Sequence, residues 1–341
     1  MLEYVSNGGS KLRNEILRLV LFKAVLLAFL VMALPIFFTS PAIGKPLVVE
    51  KGVIRSDTTW QNEVIVQGDV EIAEGATLVI MPGTVVKFAK IEENGPANLE
   101  MDKTKNFTRA ELIINGRILA QGTKDKVVVF TSAEKSPRLA DWGAINMLDS
   151  DNNILEYCDI SYGHTAVHGH GAQFTVANCH LHDNGMAIGF KNVDKCKPRC
   201  VTVLYNHITR NGGGVLCSKD SRAIVSHNRI DYNKFFGIYG KKGSHLCVRY
   251  NNTVHNGKGV IVYAMKGLQL RENNICENEK YNISLMEGQI WNVDARHNWW
   301  GTPDTKTITT LIWDKDEDAT LGILDFSGFA DSPIDGAGLP R

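Results

Sequence analysis

From about residue 150 to residue 300 the chain alternates apolar and polar side chains over runs of four to six residues. That period of two belongs to strands, because successive strand side chains point to opposite faces. The runs themselves recur. A segment of the form apolar-x-apolar-x-x-Asn-x-apolar appears at 203–208 around Asn206, at 225–230 around Asn228 and at 250–254 around Asn252. It returns at 271–275 around Asn273 and at 296–300 around Asn298. Two earlier copies, 157–160 and 178–181, carry Cys158 and Cys179 in place of the Asn. The closing apolar position falls at 160, 181, 208, 230, 254, 275 and 300, with spacings of 21, 27, 22, 24, 21 and 25.

A second column confirms the first. Val167, Ile188, Val215, Ile238, Val260 and Ile283 each follow a small or turn-forming residue and are spaced 21, 27, 23, 22 and 23. Both columns lengthen at the same place, as an insertion in a stacked repeat requires. The period and the strand pattern exclude helical repeats, and the scattered leucines do not fit a leucine-rich repeat. The pattern predicts an all-β solenoid, a parallel β-helix, in which inward aliphatics form one continuous core and Asn206, Asn228, Asn252, Asn273 and Asn298 form a ladder. Cys158 and Cys179 would stack as buried thiols at the start of that ladder.

Upstream the repeat is looser. Gly68 and Gly75 match Gly116 and Gly122 at offsets of 48 and 47, about two coils, and the polar stretch from Lys90 to Arg109 reads as a loop leaving the stack. After the last coil, 305–313 reads as a short helix that caps the open end, which a solenoid needs to cover core and unpaired strand edges. The expected organisation is therefore a leader at 1–42, a β-helix at 43–302 with looser coils over 50–150 and regular ones over 151–302, and a cap and tail at 303–341.

Gly83-Thr84-Val85-Val86-Lys87-Phe88, then Trp142-Gly143-Ala144-Ile145, the Asn repeats and finally Asn298-Trp299-Trp300-Gly301-Thr302 carry a resemblance. The chain resembles bacterial exported right-handed parallel β-helix proteins, the pectate-lyase-like group that includes the periplasmic β-helix protein of nitrous-oxide-reductase maturation. The resemblance spans roughly 50 to 330 and implies the right-handed fold. Function does not follow from it, because the group holds lyases, hydrolases and binders alike.

Composition changes this picture at three points. The 37 basic and 37 acidic side chains balance, which leaves no electrostatic footprint for nucleic acid. Lys11, Arg13, Arg18 and Lys23 precede an apolar run from Ala24 to Phe38, and Ser40 and Ala42 supply small residues for cleavage after Ala42. A span of fifteen residues is short of the ~20 that cross a bilayer, so this reads as a secretory signal peptide and the only membrane association would be through it, if uncleaved. The expected location is exported: periplasmic, cell-surface or extracellular. Seven cysteines cannot all pair within one chain, and Cys196 with Cys200 is the candidate loop disulfide, the alternative being two free thiols.

Candidate chemistry lies on outward positions. His180, His182 and His207 share one patch with Asp159 a coil below, a donor set that could hold a divalent transition metal; solvated polar side chains are the plainer reading. His164, His168 and His170 form a second histidine group. Arg249, Arg271 and Arg296 form a basic stripe beside Glu272 and Asp294, suited to an acidic glycan or to a salt-bridged ladder. Tyr232 and Tyr239 offer rings for stacking on sugars. Asp314, Asp316, Glu317 and Asp318 lack the glycine and distal glutamate of a calcium loop and read as an acidic turn. No coil shows the paired carboxylates of a glycosidase. The expectation is an exported, non-catalytic scaffold for a polysaccharide or an envelope protein; the alternatives are a polysaccharide lyase or hydrolase acting from 191–200 or 90–109, and a periplasmic metal-handling accessory.

Overall fold

The computed structural model describes residues 45–99, 107–193 and 201–340. The leader at 1–42 and the Cys196–Cys200 pair lie outside the described residues. Three parallel sheets of ten, eleven and nine strands run the length of the stack, and neighbouring strands within each sheet are three apart in chain order, save for the last strand of the second sheet. Each coil thus gives one strand to each sheet, which makes a right-handed parallel β-helix.

Parallel in-register stacking places like residues over like. On the first sheet the inward column runs Val64, Val86, Phe130, Ile160, Leu181, Ile208, Ile230, Thr253, Ile275. On the second it runs Val70, Leu112, Ile145, Val167, Ile188, Val215, Ile238, Val260, Ile283, Ile312. The third contributes Leu155, Val176, Val203, Val225, Val248 and Leu270. These side chains close one unbroken apolar core, and its burial is the main favourable term in folding.

Two corners of each coil are turned by a residue with positive φ followed by a buried Asn. Tyr205, His227, Tyr250, Glu272 and His297 precede the first ladder, and Asp183, Arg210, Tyr232, His255 and Glu277 precede a second. In the first ladder Asn228 Oδ1 accepts from the backbone N–H of Asn206 at 2.9 Å, while its Nδ2 donates to the carbonyls of Val203 and Ser226. The rungs that follow repeat this, so the amides satisfy corner backbone groups that no strand pairs. Cys179 copies it with one atom: Sγ accepts from Cys158 N–H at 3.3 Å and donates to Ala177 O at 3.1 Å.

The rung expected at Asn252 is Asn251, which accepts from Asn228 N–H at 3.0 Å and is fully buried. A register with Val254 inward is off by one residue in this coil, and a slip of one exchanges the faces of a strand. Thr253 faces the core instead, Asn252 faces outward and bonds Asn274, and His255 moves to the corner. The second ladder, Asn184, Asn211, Asn233, Asn256 and Asn278, was not anticipated.

Upstream, Val70 pairs directly with Leu112, so the interval read as two coils is one coil carrying the 90–109 loop. Asp69 ties that loop down, accepting from Leu99 N–H at 2.7 Å and donating its own N–H to Ala97 O at 3.0 Å. At the far end, Asp304 caps the helix Thr305–Thr310, which buries Ile308. The helix stops short of 313 because Ile312 and Trp313 pair with Ile283 and Ser284 as the last strand of the second sheet. Among the described residues no helix is long and apolar enough to cross a membrane.

Candidate metal site

On the outer face of the first sheet, register stacks Asp159, His180, His207 and Arg229 in one column, and Ser161, His182, Thr209 and Asp231 two residues on. His180 and His182 lie on the same side of one short strand, separated by an inward Leu181. Their rings lean together and stack, with centroids 4.2 Å apart. The Asp159 carboxylate bridges them from the coil below: Oδ2 lies 3.0 Å from His180 Nδ1 and Oδ1 lies 3.1 Å from His182 Nε2.

The three donors lie within 4.8 Å of one another. Asp159, His180 and His182 would offer a dication one carboxylate and two imidazole nitrogens, and three protein ligands would leave a position open for exchange. Imidazole with carboxylate suits first-row transition ions rather than the all-oxygen shells of calcium or magnesium.

A support for this set sits one residue further along. His182 Nδ1 lies 2.6 Å from Asp183 Oδ2, and Arg210 reaches the Asp183 oxygens at 3.1 and 2.8 Å. Orientation of a ligating imidazole through its second nitrogen by a carboxylate is the usual outer arrangement of a histidine–metal site. Burial works against charge on Asp159, yet its bonds to His180 and His182 hold the carboxyl well below its ordinary value. Burial likewise works against the His182 imidazolium, and Asp159 and Asp183 together raise that ring above its ordinary value. The site therefore carries its own counter-ions and concentrates positive charge between two carboxylates.

His207 joins the patch without joining the donor set. Its ring stacks on His180 at 5.1 Å, but Nε2 is held 3.0 Å from Asp231 Oδ1, a carboxylate with no exposed surface. Arg229 Nε binds the other oxygen of Asp231 at 2.5 Å. Asp183 and Arg210 are not legible as candidates from the strand pattern, because these corner residues of positive φ lie outside the alternating positions.

The remaining candidates do not converge. Arg271 and Arg296 share Asp294, Arg296 also approaches Asp325, and Arg249 stands apart with its Nε buried. The stripe is thus largely the salt-bridged ladder. Tyr232, at a corner and 54% exposed, has one ring face against His255 at 5.0 Å. Tyr239, on the second sheet, packs edge-on to Phe236 and under Lys241. In the second histidine group His168 Nδ1 bonds Asn146 and His170 Nε2 bonds Asn192, each at 2.8 Å, so these rings face separate partners. The acidic turn is a turn: Asp314 accepts from Asp316 and Leu324 N–H.

Sequence comparison adds to this geometry. The profile of a pectate-lyase like beta helix domain matches residues 52–167. No curated protein and no solved structure matches the chain. A second profile, described as periplasmic copper-binding protein (NosD), matches residues 123–293, half of the chain and the whole span that carries the Asp159, His180 and His182 cluster. The chain is an exported β-helix protein of a periplasmic type, and it belongs to the NosD family.

Proposed function

We propose that the protein is a periplasmic metal-handling accessory that holds one copper ion on Asp159, His180 and His182 and offers it to an envelope protein partner. The observation that carries this reading is the convergence of three metal-capable donors on an outward face, within the span matched by a family described as copper-binding. The site is open to solvent at His180, whose side chain is 38% exposed, while His182 is 16% exposed. A binding atom on the surface with a rigid sheet behind it suits uptake and release, because no loop has to move for the ion to pass.

A glycan-binding face has less behind it. Two of the three arginines of the basic stripe are already engaged by Asp294, and the exposed Tyr232 has one face occupied by His255. The test is titration of the purified protein with Cu(II) against a competing chelator, for the natural chain and for Asp159→Asn and His182→Phe. The natural chain should take up one ion that the chelator removes stoichiometrically, and each variant should lose at least ten-fold in affinity. Equal uptake by all three would overturn the reading.

A further inference from the structure

An open cavity of about 430 Å³ lies on the outer face of the second sheet beneath Phe107. Its outward column runs Asn146, His168, Gly189 and Leu216. The side chain is missing at Gly189, between His168 and Leu216, and that gap is the floor of the cavity. Nothing in the backbone demands glycine there. A Cβ at Gly189 would meet its nearest neighbours, Thr165, Met186 and His168, at 3.6 Å or more, which is ordinary contact. Its φ is not positive either, in contrast to the corner glycines. A glycine that neither sterics nor conformation requires, in the middle of a strand, marks a place where something else approaches the sheet.

The wall opposite the apolar side is chemically prepared. Glu111, fully buried, accepts from Asn146 Nδ2 at 2.9 Å, which leaves Asn146 Oδ1 to accept from His168 Nδ1 at 2.8 Å. His168 therefore carries its proton on Nδ1 and keeps a lone pair on Nε2. Burial first, then the charges of Lys191, His170 and His164, holds this imidazole neutral by pulling its pKa down to about 3. Phe107 closes the roof edge-on to His168 at 5.4 Å. At the rim Lys191 has no carboxylate partner among the described residues.

We propose that this cavity binds a small amphipathic organic anion, with its apolar body over Gly189, its acid group on Lys191 Nζ and a hydrogen-bond donor on His168 Nε2. The volume is that of a small-molecule pocket, mostly apolar with a few placed polar groups. A bare metal ion is the poorer occupant, because Phe107, Leu139, Met186 and Leu216 dominate the lining and no carboxylate belongs to it.

The probe is 8-anilinonaphthalene-1-sulfonate, which combines an apolar body, an N–H donor and a sulfonate, titrated by fluorescence into the chelator-treated full chain. One saturable site is expected. Gly189→Leu, which fills the floor, should weaken it at least ten-fold, and Lys191→Met about five-fold. His168→Phe should weaken this probe and leave naphthalene-1-sulfonate, which has no N–H, unaffected. Ile290→Ser, on an exposed apolar residue elsewhere, should change nothing. Should Gly189→Leu fail to fold, Lys191→Met and His168→Phe decide alone. Unchanged binding in the variants that fold, or no saturable binding to the natural chain, would overturn the proposal without touching the copper reading, whose residues lie on the first sheet.

Discussion

His182 stands between two carboxylates, with Nε2 3.1 Å from Asp159 Oδ1 and Nδ1 2.6 Å from Asp183 Oδ2. One carboxylate comes from the coil below and the other from the next residue at the corner, so the imidazole plane is set from both sides. Asp159 belongs to the proposed donor set, and Asp183 only orients. Asp183→Asn should therefore weaken copper binding about ten-fold while leaving one site per chain. His207→Phe should change affinity less than three-fold, because Asp231 holds that ring away from the donor set. Chelator competition on the two variants separates orientation from ligation.

The Asn228→Ala substitution removes the acceptor for a buried backbone N–H and the donor for two buried carbonyls. Its cost should be about 3 kcal/mol, since each buried group left unpaired costs ~1–3 kcal/mol. Asn252→Ala, in an outward position one residue from the true rung, should cost about 0.5 kcal/mol. Denaturant midpoints of the pair test the register of this coil directly. Equal costs would mean that Asn252 is the rung.

Cys179→Asn should be tolerated with an unchanged or higher thermal midpoint, because an amide extends the ladder by the same two kinds of bond that Sγ makes. Cys179→Val keeps the size and loses both bonds, and should cost about 1–2 kcal/mol.

Asp231 makes stability depend on pH in a defined window. Burial raises its pKa, but bonds from His207, Thr209 and Arg229 lower it further, to about 2 from an ordinary 3.8. A carboxyl depressed in the folded state contributes stability above its unfolded pKa and loses it as pH falls through the folded value. The contribution, about 2 kcal/mol by the unit conversion for a pKa shift, should be complete at pH 6 and vanish between pH 4 and pH 2. Asp231→Asn should flatten the stability profile over that interval; a slope as steep as that of the natural chain would contradict the assignment.

Much of the fold was legible because a solenoid writes each packing rule many times. Ile160, Leu181 and Ile208 stand in register, and so do Val167, Ile188 and Val215, so two independent columns could check each other. The failure came where one rung departs from type. Thr253 occupies an inward position that elsewhere is apolar, and beside Val254 it reads as the outward residue. A second signal lies in the sequence: Asn206 and Asn211, Asn228 and Asn233, and Asn251 and Asn256 are all five apart. Taken together they place the rung at Asn251.

The metal site was half legible for a related reason. Strand alternation puts His180 and His182 on one face and Asp159 beside them, and that much needs only period two. Which nitrogen meets which oxygen depends on corner residues, Asp183 and Arg210, whose positive φ removes them from the alternation. The diversion of His207 depends on Asp231 two residues along its neighbour strand, a diagonal contact that a column-by-column reading does not rank. The Glu111, Asn146 and His168 chain begins at Glu111, just past the 90–109 loop where coil alignment fails.

The measurement that bears most directly on the proposed copper site is electron–nuclear double resonance of the Cu(II)-loaded protein labelled with ¹⁵N-histidine. The structure predicts two directly coordinated imidazole nitrogens in the natural chain, one in His182→Phe, and none in the His180→Phe/His182→Phe double variant. An unchanged two-nitrogen spectrum in the double variant would show that copper is held elsewhere and that Asp159, His180 and His182 form only a surface hydrogen-bond cluster.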